Sequence, residues 1–205
     1  MTWLTSGDPD SLHSPSTGRC YLYVLPCAYE DLLKLGFSRD PLRRLHELQS
    51  RYYESFDLQR AFLVETETVR DARALELQLQ RVLAAHQAPA PLTIRREAAG
   101  HTEWYRGAYA TLQARAQALG EGGHRLHAPL RGWVAAQLDA RSDALYAWAS
   151  TVLDALSGEP EQLDAAPLAD LRRRVLDSLD AYPALDLRLD GRLPDALLQW
   201  YRARR

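Results

Sequence analysis

The side chains best suited to chemistry on a phosphate ester lie close together, between Tyr21 and Leu48. The stretch reads Tyr21-Leu22-Tyr23-Val24-Leu25, then a polar insert, then Lys34-Leu35-Gly36-Phe37-Ser38-Arg39-Asp40-Pro41, then Leu42-Arg43-Arg44-Leu45. A guanidinium can fork onto two phosphate oxygens, a geometry lysine cannot supply. An ammonium acts there as a compact point charge. A phenol, with a reference pKa of about 10, needs nearby cations before it can give up its proton near neutrality. Lys34 is the only lysine, since arginine supplies the rest of the 25 basic residues.

Elements that can position these groups follow from the local pattern. Residues 20–26 are rich in Tyr, Leu and Val and read as a strand. Residues 32–37 read as a second strand, joined to the first by a hairpin. Asp40-Pro41 is a helix start, an N-cap carboxylate followed by Pro at the first helical position. Leu42, Leu45 and Leu48 then recur at helical spacing and give that helix an apolar stripe. Residues 57–65 alternate and predict a third strand. The clearest helix is expected at about 68–86, with Thr68 as cap, Asp71 in the first turn, and Ala72, Leu75, Leu79, Val82 and Leu83 as its apolar face. Residues 92–102 read as irregular or as a short edge strand. Glu103-Trp104-Tyr105 leads into a further helix ending near Gly120.

Composition bounds the rest. The 205 residues are 46% hydrophobic and 25% charged, with a net charge of −2, so nucleic acid would have to meet a local basic patch. Two cysteines, Cys20 and Cys27, make neither a disulfide framework nor a zinc motif, which fits a reduced cytoplasmic setting. No signal peptide is read, and no apolar run reaches the roughly 18 residues of a membrane span. Residues 1–18 read as a loose arm, 19–120 as a small α+β domain, 121–129 as a Gly-rich linker, and 130–205 as an all-α domain. Helices there are expected near 130–156, 161–181 and 193–204. A protein partner or self-association through that domain is one expectation for it.

The ordered set Tyr23, Lys34-Leu35-Gly36, Ser38, Arg44-Leu45, Glu76 and Glu103-Trp104-Tyr105 resembles the GIY-YIG nuclease superfamily, in its meiotically-upregulated-gene-113-like branch, over residues 20–106. The resemblance implies a three-stranded, mostly antiparallel sheet flanked by helices. It implies that Tyr23 is the general base or water-orienting group. It places Arg44, eight residues after Gly36, at the family's catalytic arginine, and Lys34 at the second motif's tyrosine. Glu76 matches the metal-binding glutamate, which would hold Mg²⁺ or Mn²⁺. Tyr21, Leu22, Phe37 and Gln80 depart from the family pattern.

The chemistry is coherent on its own terms. Phosphodiester hydrolysis needs an activated water and neutralisation of phosphoryl charge. One carboxylate can hold Mg²⁺, which keeps several waters and takes further ligands from the phosphate. Arg39, Arg43, Ser38, His46 and Gln80 are the expected substrate contacts. The expectation is a metal-dependent endonuclease acting on DNA. The alternative is a fold of the same kind that grips nucleic acid or a protein and cuts poorly or not at all.

Overall fold

The computed structural model describes residues 17–94 and 102–204. The chain is α+β. Three long strands form its centre, β1 (Thr17–Pro26), β2 (Leu33–Ser38) and β3 (Phe62–Thr68). Three two-residue strands extend the sheet, β4 (Gln87–Ala88), β5 (Trp104–Tyr105) and β6 (Leu126–His127). The order is β4-β5-β2-β1-β3-β6, and every pairing is antiparallel. The expected three-stranded sheet is therefore the middle of a six-stranded one. The added strands are too short to show a period of two in sequence.

Among the described residues there are eight α-helices. They are α1 (Pro41–Leu48), α2 (Tyr52–Ser55), α3 (Val69–Val82), α4 (Tyr109–Glu121), α5 (Leu130–Ala140), α6 (Ser142–Ala155), α7 (Ala169–Ala184) and α8 (Asp195–Arg202). Asp40 caps α1, its side chain accepting from the Arg43 amide at 3.1 Å, with Pro41 in the first turn. Thr68 caps α3 by accepting from the Asp71 amide at 3.1 Å. Both caps satisfy amides that the first helical turn leaves without partners.

The third strand starts later than its alternation suggests. Asp57 accepts from the amides of Gln59 and Arg60 and folds the chain into a turn before Phe62. Such side-chain-to-backbone bonds compete with a sheet ladder. The expected arm at 1–18 lies outside the described residues except for Thr17 and Gly18, which start β1. Residues 95–101 of the expected irregular segment also lie outside them.

The sheet is covered on both faces. Leu22, Val24, Leu33, Leu35, Phe62 and Val64 face α3 and α4, where Leu79, Leu83 and Leu112 complete one core. Tyr23, Leu25, Leu63 and Trp104 face the other way. There they join Leu42, Leu45 and Leu48 of α1, Tyr52, and the buried residues of α5 to α8 in a single cluster. The expected linker at 121–129 is not a free connection. Its Leu126 and His127 pair with Val64 and Leu63 of β3, and the Leu130 amide donates to the Ala61 carbonyl at 2.8 Å. Tyr21, a large residue in the first motif, meets Trp133 of α5 at 5.8 Å between ring centroids, so it docks the C-terminal helices.

A polar clasp joins the same two parts. Arg51, between α1 and α2, donates to Asp177 and Asp180 of α7 at 3.0 Å each, and Asp177 is 7% exposed. Tyr53 donates its hydroxyl to the Asp177 carbonyl at 3.1 Å. Arg51→Met is expected to lower unfolding stability by about 1–3 kcal/mol, because it leaves a buried carboxylate without its cation. Urea unfolding checks this; a loss no larger than that of Arg43→Met, an exposed control, would sink the assignment.

Candidate active site

The site is built on one cross-strand pair. Tyr23 and Gly36 are directly opposite in the β1–β2 ladder. Side chains of opposed residues share a face, so the Tyr23 ring lies over the glycine. A Cβ built on Gly36 would sit 2.4 Å from the Tyr23 hydroxyl and 2.6 Å from the ring carbon that bears it. Only a residue without a side chain leaves room for the phenol there. The Lys34–Leu25 pair falls on the same face, two residues along the ladder.

α1 brings Arg44 to the phenol. Leu42, Leu45 and Leu48 are buried and fix the helix roll, which turns Arg44 towards β1. Its Nε donates to the Tyr23 hydroxyl at 3.4 Å, and its Nη1 lies 3.3 Å from a Glu47 carboxylate oxygen. The other Glu47 oxygen holds Arg43 Nε at 2.9 Å. One carboxylate, three and four residues on, thus orients both arginines.

The electrostatics of Tyr23 differ from expectation. The residue is 3% exposed. Burial pushes its pKa up, and the Arg44 charge and hydrogen bond only partly offset this. The neighbouring cations do not bring the phenol down towards neutral pH. Because its oxygen accepts from Arg44, its own proton is directed elsewhere, which suits a group that orients water or a phosphate oxygen.

Lys34 is 1% exposed and does not offer its charge to solvent. Its Nζ donates to Glu103 Oε2 at 2.7 Å, and it sits 6.0 Å from the centroid of the Trp104 ring. Burial pulls its pKa down against the raising effect of Glu103. Glu103 is half-buried, which alone would raise its pKa. The hydrogen bonds from Lys34 and Thr102 outweigh that and hold it below the usual carboxylate range. The Glu103-Trp104-Tyr105 motif therefore closes the sheet edge beside β2 and neutralises the lone lysine. Trp104 pairs with Lys34 in the ladder.

Glu76 lies on the inward stripe of α3, between buried Ala72 and Leu79, and is half-buried. Its charge acts on Tyr23, Cys20 and Tyr105, adding to the rise in the pKa of each, and on Lys34, where it opposes the lowering by burial. Gln80 follows one turn later on the same side and is half-buried. No group of three or more His, Cys, Asp and Glu that could hold a metal occurs among the described residues. The Glu76 carboxylate is a hard oxygen donor, the type of single protein ligand that Mg²⁺ takes beside waters and substrate oxygens.

Two of the remaining expected contacts, Ser38 and His46, have other partners. The Ser38 hydroxyl accepts from the Asp40 amide at 3.1 Å and shapes the turn into α1. Arg39 is exposed and acts electrostatically on Cys20. His46 packs edge-on against Tyr52 with ring centroids 5.0 Å apart and lines a cleft towards the C-terminal helices. Glu47 and Glu103 were not singled out as site residues by sequence reasoning. Helical spacing from Arg43 and Arg44 would have found Glu47. Nothing local could have joined Glu103 to Lys34, 69 positions away.

Fold and site together define an α+β protein with an arginine–phenol pair on the face of an antiparallel sheet. Residues 20–119 match the family model of the T5orf172 domain. This corrects the resemblance drawn from the motifs, because the matching family is a different one from GIY-YIG. The T5orf172 domain is a nuclease-like, DNA-binding kind of domain, which supports a nucleic-acid-related function. No curated protein and no solved structure matches the chain. Among the described residues no helix is long and apolar enough to cross a membrane.

Proposed function

We propose that the domain is an endonuclease that hydrolyses nucleic-acid phosphodiester bonds. The observation that carries this is the Arg44–Tyr23 contact over Gly36, with the Glu76 carboxylate acting on the same phenol. The T5orf172 match over the same residues supports it.

Arg44 neutralises charge on the phosphoryl oxygens, releasing Glu47 or retaining it as an anchor. Tyr23 holds its hydroxyl proton towards the attacking water or a phosphate oxygen. Lys34 keeps β2 and β5 together and fixes the strand under Gly36. Glu76 would hold a divalent cation, Mg²⁺ or Mn²⁺, which when bound polarises the phosphate and its waters. Arg43 and Arg39, both exposed, supply contacts to neighbouring phosphates that carry no sequence information.

The test is direct. The full chain is incubated with single-stranded and duplex DNA and with Mg²⁺ or Mn²⁺, beside Glu76→Ala. The wild type is expected to cut, and Glu76→Ala to cut at least about tenfold more slowly. Equal cutting by both, or none by the wild type, overturns the reading.

A second reading has its own observation. Tyr23 and Lys34 are almost wholly buried, burial raises the phenol pKa away from neutrality, and the lysine ammonium is taken up by Glu103. A module that binds nucleic acid without cutting fits that arrangement. It predicts salt-dependent binding that is indifferent to metal.

A further inference from the structure

Between α1 and the C-terminal helices lies a cleft of about 300 Å³ that the reaction chemistry does not use. Its rim carries Arg43 and Arg141, its walls His46, Trp148 and Ser178, and Tyr182 and Leu42 close its base. The volume is at the small end of ligand-sized sites, too small for a helix and large enough for one planar ring system.

The two rim guanidiniums are held in place, each by a carboxylate. Arg43 is tethered by Glu47 at 2.9 Å, and Arg141 by Asp40 at 3.3 Å to each carboxylate oxygen. Both side chains remain about half exposed, at 53% and 44%. Trp148 is half-buried, so part of its indole is available from the cleft side. An aromatic wall beneath a guanidinium rim is the combination that accepts a nucleobase together with its phosphate.

Position adds to this. Arg43 and Arg44 are consecutive on α1. Arg44 turns to Tyr23, and Arg43 to the cleft. A strand whose scissile phosphate meets Arg44 therefore has an adjoining nucleotide beside the cleft. A base in a duplex is stacked and paired, so it could enter only after leaving the stack.

The geometry points to this cleft as a subsite for one unpaired nucleobase of a single-stranded nucleic acid, stacked on Trp148 with its phosphate between Arg43 and Arg141. The inference rests on the nucleic-acid reading above and names the form of its substrate. It makes the C-terminal helices half of the binding site.

The test measures binding without cutting. Fluorescence anisotropy of a labelled single-stranded thymidine oligomer is followed in EDTA with the full-length wild type, Trp148→Leu and Ala144→Glu. Ala144 lines the cleft and is exposed, so a carboxylate there tests the site even if the tryptophan variant does not fold. Trp148→Leu and Ala144→Glu are expected to bind roughly tenfold more weakly than the wild type. Fully paired duplex is expected to compete poorly. Unchanged binding by a folded cleft variant, equal competition by duplex, or no binding by the wild type overturns the inference. Failure of cleavage alone overturns only the hydrolytic reading, because this assay contains no metal.

Discussion

Gly36→Ala is expected to lower the rate of DNA cleavage about a hundredfold while leaving the chain folded. The added Cβ would fall 2.4 Å from the Tyr23 hydroxyl and within 2.9 Å of two ring carbons, distances no packed side chain tolerates. The phenol is rigid and sits on the central strand of the sheet, so the ring must swing away. Its contact with Arg44 goes with it. A misplacement of about 1 Å in a reacting geometry costs on the order of 10²-fold in rate. The accompanying overpacking costs about 1–3 kcal/mol of stability. Single-turnover cutting rates beside a thermal melt separate the two effects. A variant that melts earlier but cuts as fast as wild type would show that the position of Tyr23 does not matter to the reaction.

Glu103→Gln is expected to destabilise the fold by about 2–3 kcal/mol at neutral pH. Removing one partner of a buried ion pair typically costs about 3–5 kcal/mol, and the lower figure reflects that the Glu103 side chain is 26% exposed while that of Lys34 is 2% exposed. The deficit comes from an ammonium left in an apolar site rather than from a lost attraction. Lys34→Met combined with Glu103→Gln is therefore expected to recover most of it. The pH dependence follows from the direction of the lysine shift. The folded pKa of Lys34 lies below its unfolded value. Between the two, the unfolded chain binds the extra proton, so stability rises with pH across that window. The charges facing Lys34 are Glu103, Arg44 and Glu76. Without Glu103, the window widens downward, and the deficit of Glu103→Gln should shrink as pH rises towards the ordinary lysine range. Glu103 gives the same slope in a lower pH window. Its folded pKa is depressed, so its share is present above the unfolded carboxylate pKa and is lost as pH falls through the folded one. Urea unfolding of the two single variants and the double variant at several pH values checks this. A pH-independent deficit, or a double variant no better than Glu103→Gln, would contradict it.

The site was legible where its logic is local. Asp40, Pro41 and the Leu42-Leu45-Leu48 stripe announce α1, and the helix then carries Arg44 to the sheet. Tyr23 and Gly36 could be set on adjoining strands because the hairpin between them is short. The structure departs where a role depends on a distant partner. Lys34 looks like a free phosphate ligand until Glu103 is brought beside it by β5, a strand of two residues. The burial of Tyr23, which moves its pKa the wrong way for a base, depends on α1 and the C-terminal helices closing over its face. His46 looked close to the site by count along α1, but its direction on the helix carries it to the other side. The same locality explains the family correction. A tyrosine over a glycine, with an arginine on the next capped helix, spells a small piece of geometry. Such a piece fits more than one family, and the family model that residues 20–119 match is that of the T5orf172 domain.

The pairing of Leu126 and His127 with β3 bears on how such a segment can be inherited. Residues 20–119 are the part that matches a family, yet they do not close their own sheet. The outer edge of β3 is covered by a strand lying beyond that match, and the Leu63 face by helices further on. A chain that acquired only the matched segment would carry an open edge and an uncovered apolar surface, both invitations to self-association. Recombination could preserve this domain only with a replacement for both, so its neighbour in the gene is constrained by shape even where its sequence is free to drift.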